Sequence, residues 1–258
     1  MLGLGHKSTI DCKKVFQPND ISDCILAFHA GDDVSYTDDS GTFKVDSWMD
    51  QAGTISNGSR IFASHTGTKR PILSSSAKGM ILTFDGANDR LDLHESDLST
   101  DVAFTLDTSA GGWTLFAIYT SADWADGDMA IFGDVGSNDN FMRHRPGTTN
   151  KFEVKINGTI KRFDLNNPTT LVNNRYHAIM LTATEDSTSI LKLHIDGVTQ
   201  ADSETIANTN DFVVEQLASK NTASDPLNGA IKHIVVYDKL VTTGERKELN
   251  AWAEQHIG

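Results

Sequence analysis

An antiparallel all-β sandwich is the fold class that this sequence predicts, and three observations support the prediction. Short runs of alternating apolar and polar residues recur along the chain, as expected for strands that bury one face. Turn signals rich in Gly, Asn and Asp separate these runs at intervals of roughly 8–15 residues. Helical patterns do not alternate with the strands, which argues against a parallel α/β fold. A chain of 258 residues can form one such sandwich.

The first elements follow an opening segment without periodicity. Residues 1–19 are expected to form an extended N-terminal arm that docks on a partner subunit or on its own domain, which comprises residues 20–258. The run CILAFHA, residues 24–30, predicts a core strand. Residues 31–53 are expected to be an acidic loop around one short strand centred on Val45. Residues 63–78 are expected to form a polar connection. The strand-like runs that follow it are MILTF, RLDL, FTL, WTLFAIYT and MAIFGDV.

Two hairpins are the clearest local predictions. In KFEVKINGTIKRF, Asn157-Gly158 suits a type I′ turn, because both central residues of that turn need positive φ. A two-residue turn places Glu153 opposite Arg162, a favourable cross-strand pair. The second hairpin, ILKLHIDGVTQA, has Asp196-Gly197 at its tip, and YHAIMLTAT is expected to pair alongside it.

A late strand and one helix close the chain. AIKHIVVYD predicts a strand that is buried on both sides near Val235. Thr242 followed by Glu245 fits a capping box at the start of a helix. The apolar residues after it recur at helical spacing: Leu249, Trp252, Ala253 and Ile257.

Composition narrows the possible partners and compartments. The 22 basic and 35 acidic residues leave a net charge of −13, which disfavours nucleic acid and membrane surfaces as partners. Cys12 and Cys24 form neither a disulfide framework nor a zinc motif, and two free thiols are favoured over one bridge. We see no apolar run long enough to span a bilayer and no signal peptide. We therefore expect the protein to be made in a cytoplasm. If it reaches the outside of the cell, we expect another route, for instance as part of a particle that lysis releases.

The order of several segments resembles a known family. These segments are DSWMDQAG, LTFDGANDRL, GWTLFAIYT, RYHAIMLTAT, LKLHIDGVTQ and LNGAIKHIVVYDKLVTTGERKELNAWAEQHI. Together they resemble the laminin-G-like branch of the concanavalin A-like lectin/glucanase jelly rolls, over residues 20–257. The resemblance implies a jelly-roll sandwich with one short C-terminal helix, and it says little about activity because this fold hosts many functions.

The opening MLGLG resembles the starts of structural proteins of tailed phages, especially those of marine bacteria. In such phages this fold is found in capsid decorations, fibres and tail components. The resemblance implies a non-enzymatic structural protein of a virion, made in the host cytoplasm. Its partners would be capsid or tail proteins bound through the arm, or further copies of the chain. The alternative functions are a carbohydrate-binding module of a tail or fibre and, less favoured, a polysaccharide-degrading enzyme.

A carbohydrate site is predicted in the segment SADWADGDMAIFGDVGSNDNF. Sugars bind an aromatic face flanked by polar side chains, and lectins of this fold often place calcium beside them. An exposed Trp124 among acids and amides fits that description. The candidate residues are Asp123, Trp124, Asp126, Asn138 and Asn140. The favoured interpretation of the segment is nevertheless an acidic loop with Trp124 packed onto the edge of the sandwich.

Two other acidic segments could bind calcium through oxygen ligands. In the loop DGAND, the candidate ligands are Asp85, Asn88 and Asp89, but a turn that joins two strands is the favoured interpretation. The second acidic cluster comprises Asp32, Asp33, Asp38 and Asp39. A solvated loop is the favoured interpretation of this cluster over a cation site. No cofactor other than calcium is indicated.

The motifs of an enzyme are missing from the sequence. Glucanases of this fold carry Glu-x-Asp-x-x-Glu on one strand, and that run does not occur here. Glu153 lies on a predicted strand but is already paired with Arg162. The sequence also lacks His-Glu-x-x-His, Gly-x-Ser-x-Gly and a phosphate-binding loop. We therefore predict a protein that is not an enzyme.

Overall fold

The computed structural model describes residues 16–52, 61–95, 98, 100–107, 111–125, 127–145, 151–165, 171–184, 188–207, 211–221 and 224–257. Within these ranges the chain forms nineteen strands and one α-helix. In chain order they are β1 Cys24–His29, β2 Val34–Asp39, β3 Thr42–Met49, β4 Phe62–Ser64, β5 Ile72–Ser76, β6 Gly79–Asp85, β7 Leu91–His94, β8 Phe104–Leu106, β9 Trp113–Ser121, β10 Met129–Gly133, β11 Phe141–Arg145, β12 Lys151–Ile156, β13 Thr159–Asp164, β14 His177–Ala183, β15 Thr188–Ile195, β16 Val198–Ala207, β17 Phe212–Val214, β18 Gln216–Leu217, β19 Asn228–Tyr237 and α1 Thr243–Ala253.

Seventeen of these strands form one hydrogen-bonded ladder that folds into two facing layers, and all of its pairings are antiparallel. The helix-side layer has the order β16–β15–β14–β9–β19, and both β1 and β6 pair with the remaining edge of β19. The opposite layer has the order β2–β3–β4–β7–β18–β10–β11–β12–β13. Strand β5 joins β6 to β3, and β8 pairs with β17 in a separate small sheet. The predicted antiparallel jelly-roll sandwich is therefore confirmed.

The main core lies between the two layers. From the helix-side layer it receives Leu115, Tyr119 and Ile179, and from the opposite layer Phe152 and Phe163. All five side chains are at most 2% exposed, so burial of apolar surface is the main force that holds the layers together.

A second apolar cluster lies on the outer face of the helix-side layer, beneath α1. Phe116 and Ile118 of β9 point to this side, whereas Leu115 and Tyr119 point to the main core. Leu249 and Trp252 of the helix cover them, as the spacing predicts. The capping box is also confirmed, because Thr242 Oγ1 accepts a hydrogen bond from the Glu245 backbone and the Glu245 carboxylate accepts one from the Thr242 backbone.

Both hairpin predictions are confirmed. Asn157 and Gly158 have φ of 44° and 79°, and Glu153 lies opposite Arg162. At the second tip, Asp196 and Gly197 have φ of 48° and 79°. Strand β14 pairs alongside β15.

Two predicted loops instead contain strands. Strand β3 confirms the strand expected around Val45, but the expected acidic loop also contains all of β2, and the expected polar connection contains most of β4 and all of β5. Most of β2 is exposed, so its residues have no reason to alternate in polarity. Its backbone hydrogen bonds to β3 hold it extended in spite of its four polar residues.

The described part of the arm packs against the domain. Pro18–Asp20 forms a 3₁₀ turn rather than the expected extended chain, and the Tyr237 hydroxyl donates to the carbonyl oxygen of Pro18 at 2.9 Å. The remaining arm residues, together with Cys12, lie outside the described ranges. In the ranges that are described, no helix has the length and apolarity needed to cross a membrane.

Candidate functional site

Trp124 lies inside the protein. Its side chain is 3% exposed, and its ring centre lies 5.3 Å from that of Tyr119 and 5.1 Å from that of His144. The backbone N–H of Trp124 donates to Asn173 Oδ1 at 2.7 Å, and Asp123 Oδ1 accepts from the Ala125 N–H at 2.9 Å. The exposed stacking face is wrong, and the favoured interpretation, in which Trp124 packs on the sandwich, is confirmed. The indole gains more by packing between the layers than by contact with water.

Two of the other predicted carbohydrate residues, Asn138 and Asn140, lie in the loop between β10 and β11. Asp126 lies outside the described residues. Asn138 and Asn140 belong to a loop held by the buried Asp134, whose carboxylate accepts from the backbone N–H groups of both. Asn140 Oδ1 also accepts from the Asn157 N–H at 3.0 Å, which ties the loop to the first hairpin. The polar groups of this loop are used largely to hold its own backbone.

The loop after β6 has the geometry of a strand connection. Asp85 Oδ1 accepts from the N–H groups of Ala87, Asn88 and Asp89 at 2.8, 3.1 and 3.3 Å. Asp89 Oδ2 in turn accepts from the Asp85 N–H at 3.0 Å. Burial would raise the pKa of Asp85, but these N–H groups outweigh it and hold the pKa below its usual range.

Asp89 behaves differently from Asp85. Burial, with the Asp85 carboxylate second, raises the pKa of Asp89 to about 6. Both carboxylates therefore serve the backbone of the loop. Across the described chain, no three His, Cys, Asp or Glu side chains are grouped so that they could hold a metal ion. Calcium binding by Asp85, Asn88 and Asp89 stays a prediction.

Glu153 is enclosed by arginines. Its side chain is fully buried; Oε2 accepts from Arg143, and Oε1 accepts from Arg145 at 3.1 Å and from Arg162 at 2.7 Å. Arg143 also contacts two aspartates, Asp128 and Asp225. Burial would raise the pKa of Glu153, but the three guanidinium groups lower it to about 2. Such a carboxylate stays ionised and has no proton to give, so it is not a general acid.

An exposed aromatic pair occurs in the segment that the sequence predicted to be a solvated acidic loop around a strand at Val45. Tyr36 and Phe43, on β2 and β3, are 50% and 40% exposed, and their ring centres lie 5.1 Å apart in an edge contact. Among the acids of the segment, Asp38 accepts from the Gly41 N–H at the hairpin turn and Asp39 pairs with Lys44 at 2.7 Å. The acids stabilise the hairpin that presents the rings.

A shallow groove of about 410 Å³ lies beside this aromatic pair, between the β2–β3 and β5–β6 hairpins. Its walls combine apolar side chains with hydroxyl groups. We call this surface the hairpin groove; its lining includes Thr42, Phe43, Ile72, Ser74, Ser75 and Met80, and the ring of Tyr36 contacts that of Phe43. Single-sequence reasoning missed it, and the signal that could have found it is Tyr-x-x-x-x-x-x-Phe around the turn Asp39-Ser40-Gly41.

The fold defines the class of protein: a two-layered antiparallel jelly roll of the lectin-like type. The model of the concanavalin A-like lectin/glucanases superfamily, in its Laminin_G_3 form, matches residues 85–245, and the chain belongs to this superfamily. The sequence matches no curated protein.

Solved structures share the fold at low sequence identity. The binding domain of botulinum neurotoxin serotype G is 14% identical, with a TM-score of 0.56, 90% of this chain covered and 51% of that one. The binding domain of Paraclostridial Mosquitocidal Protein 1 is 10% identical, with a TM-score of 0.55 and coverages of 92% and 53%. A Trypanosoma rangeli sialidase is 11% identical, with a TM-score of 0.54 and coverages of 91% and 33%. The chain thus spans about half the length of the binding domains and a third of the sialidase.

Proposed function

We propose that the chain is a non-catalytic domain that recognises a carbohydrate in the hairpin groove. The observation that carries the proposal is the exposed pair of Tyr36 and Phe43 beside a groove lined with hydroxyl groups. A sugar ring has a C–H face that packs on aromatic rings and hydroxyls that need hydrogen-bonding partners. The groove offers both kinds of contact, as small-molecule sites do.

The absence of catalysis is supported by the state of Glu153. Hydrolysis of a glycosidic bond needs a pair of carboxyl groups, one of which must hold a proton. Glu153 is fully buried and bound by three arginines, so it can neither approach a substrate nor protonate one. The sialidase similarity concerns the fold, and it is the reason to test hydrolysis directly.

The test is a glycan array probed with the complete chain, followed by titration of any hit. Tyr36→Ala and Phe43→Ala are each expected to weaken binding at least tenfold, because each removes one stacking face. Ile160→Ala is the matched control, since Ile160 is also 40% exposed but lies on β13. Equal binding by the wild type and all three variants would overturn the location of the site in the hairpin groove. Loss of binding in Asp123→Ala instead would favour the loop of Asp123, between β9 and β10.

A hydrolysis assay tests the non-catalytic part separately. The chain is expected to release no reducing ends from the polysaccharide that it binds. Turnover that disappears on replacing a single carboxylate would overturn this part of the proposal.

We further propose that the domain acts in the virion of a tailed phage, as a capsid decoration or as a tail or fibre component. The resemblance of MLGLG to phage structural proteins supports this setting, and the arm would bind the particle. Residues 16–19 pack on the body, so the deletion that tests the idea should remove residues 1–15 alone. The deleted protein is expected to fold and bind its glycan but not to attach to particles. Normal attachment would contradict the role of the arm.

A further inference from the structure

A second cavity, of about 360 Å³, lies at the edge of the helix-side layer. We call it the helix-edge pocket. Strand β19, the end of β1, the β5–β6 turn and the end of α1 enclose it, and its functional groups are His29, Asp32, Lys78, Lys232, His233 and His256. Trp252 forms part of the wall. It is distinct from the hairpin groove, although Met80 contributes to both linings.

Three histidines form a hydrogen-bonded chain in this pocket. His29 Nδ1 lies 3.0 Å from His233 Nδ1, and His233 Nε2 lies 3.3 Å from His256 Nδ1. The pairing of β1 with β19 sets His29 directly opposite His233. Trp252 holds the chain in place, with its ring centre 4.6 Å from that of His233 and 4.3 Å from that of His256.

The three hydrogen-bonded histidines have one N–H donor that their mutual hydrogen bonds do not use. Three neutral imidazoles carry three N–H groups, and the two internal bonds use two of them. One N–H and one lone pair therefore remain, at opposite ends of the chain. His29 Nε2, at one end, is buried and has no hydrogen-bond partner within the described structure. Both terminal imidazoles, those of His29 and His256, belong to the lining of the pocket, so the unused N–H lies on a residue of the pocket wall.

Lys232 reaches the same pocket because β19 contains a bulge. Ile231 pairs with Tyr119 and His233 pairs with Ile118, so Lys232 is an extra residue in the ladder. A bulge redirects side chains, and here it lets Lys232 and His233 face the pocket together. The Lys232 side chain is 1% exposed.

The ammonium of Lys232 has few partners. It donates to the carbonyl oxygen of His256 at 3.2 Å and lies 5.4 Å from the ring centre of Tyr176. None of the described carboxylates forms an ion pair with it. A buried ammonium without a counter-ion is costly, and a second cation, Lys78, lies in the lining.

The pKa values agree with this picture. Burial, with Lys78 second, lowers the pKa of Lys232 to about 8. Burial also lowers the pKa of His29, and it lowers the pKa of His256 to about 4 and that of His233 well below its usual range. At neutral pH the imidazoles are uncharged, and the two lysines outnumber the single carboxylate of Asp32.

We propose that the helix-edge pocket binds the oxyanion of a small ligand, a carboxylate, sulfate or phosphate group, through the ammonium of Lys232 and the free N–H of the histidine chain. The anion supplies the missing counter-charge of Lys232 and accepts from donors that the fold leaves unused. Lys78 at the mouth adds attraction. This site does not depend on carbohydrate binding in the hairpin groove.

The experiment titrates the complete chain at pH 7 and constant ionic strength with sodium sulfate, sodium phosphate and sodium glucuronate. Calorimetry and tryptophan fluorescence follow binding, since Trp252 lines the pocket. Saturable binding of at least one anion is expected, with Kd of about 1 mM or below. Tighter binding of glucuronate indicates an acidic sugar as the source of the charge, whereas tighter binding of sulfate or phosphate indicates a free or ester oxyanion.

Variants decide whether Lys232 is responsible. Lys232→Met is expected to weaken binding at least tenfold while raising the melting temperature, because the uncompensated buried charge is gone. Lys78→Met, at an exposed position, is expected to weaken binding about threefold. Lys192→Met removes an exposed charge on β15 and serves as the control, with unchanged binding. Failure of all three anions to bind at about 20 mM, or wild-type affinity in Lys232→Met, would overturn the site.

Discussion

Replacing Glu153 with glutamine should destabilise the protein through charge alone. Glutamine keeps the shape of the side chain but leaves Arg143, Arg145 and Arg162 without their shared anion. The pKa of Glu153 falls from 4.5 to about 2 in the folded protein, and each unit corresponds to 1.36 kcal/mol. The ionised form therefore stabilises the fold by about 3 kcal/mol relative to the neutral form, in the range for breaking a buried ion pair.

The pH dependence of this loss has a defined sign. Because folding lowers the pKa of Glu153, its contribution is complete above about pH 4.5 and is lost as the pH falls toward about 2. Urea unfolding from pH 7 to pH 3 should show Glu153→Gln less stable by about 3 kcal/mol at pH 7, with a gap that narrows below pH 4.5. Asp164→Asn is the control, since Asp164 pairs with Lys151 but is 58% exposed, and its cost should stay below about 1 kcal/mol. A gap that is constant with pH, or smaller than about 1 kcal/mol at pH 7, would refute the reasoning.

Three further predictions concern the loops and the pocket. Gly86→Ala should lower the free energy of unfolding, measured in urea, by about 2 kcal/mol or more, because Gly86 has φ of 70° and a Cβ there would lie 2.5 Å from Asn228 Cβ. Gly41→Ala is the control: Gly41 has φ of 90° but open space around it, so the loss should be smaller. Trp124→Ala should lower the free energy of unfolding by about 3–5 kcal/mol and leave glycan affinity unchanged in the folded fraction; unchanged stability would contradict its burial. Anion binding should weaken above about pH 8, because Lys232 then loses its proton. The charged and titratable groups around Lys232 are His29, Asp32, Lys78, Tyr176, His233 and His256. An anion affinity that is constant from pH 7 to pH 9.5 would exclude Lys232 as the binding group.

Much of the fold could be predicted because its strongest signals are local. The turn at Asn157-Gly158 fixes the register of its hairpin within about ten residues, so Glu153 and Arg162 could be paired from the sequence. The capping box at Thr242 is local in the same way. Strand β2 could not be predicted, because it is an exposed strand of the edge hairpin whose residues are fixed by hydrogen bonds to β3 rather than by burial.

The candidate sites were harder to predict, because they depend on contacts between distant parts of the chain. The acidic neighbours of Trp124 left open whether it is exposed or packed, whereas the structure shows it enclosed by Tyr119 and His144 of two different strands. His29 and His233 are separated by 204 positions, and no short-range pattern predicts that they meet. The bulge that turns Lys232 inward could not be predicted either, because the run AIKHIVVYD indicates only a strand that is buried on both sides.

The contrast between Glu153 and Lys232 is the one expected if the helix-edge pocket binds an anion at a cost in stability. Both are charged and buried, but Glu153 is neutralised by three arginines, whereas Lys232 keeps its charge with one carbonyl oxygen and one aromatic ring. A fold under selection for stability alone would replace Lys232 with an apolar residue, because a buried charge without a partner destabilises. Stabilisation by Lys232→Met together with loss of anion binding would demonstrate that compromise directly, and loss of stability in the same variant would show that the lysine serves the fold.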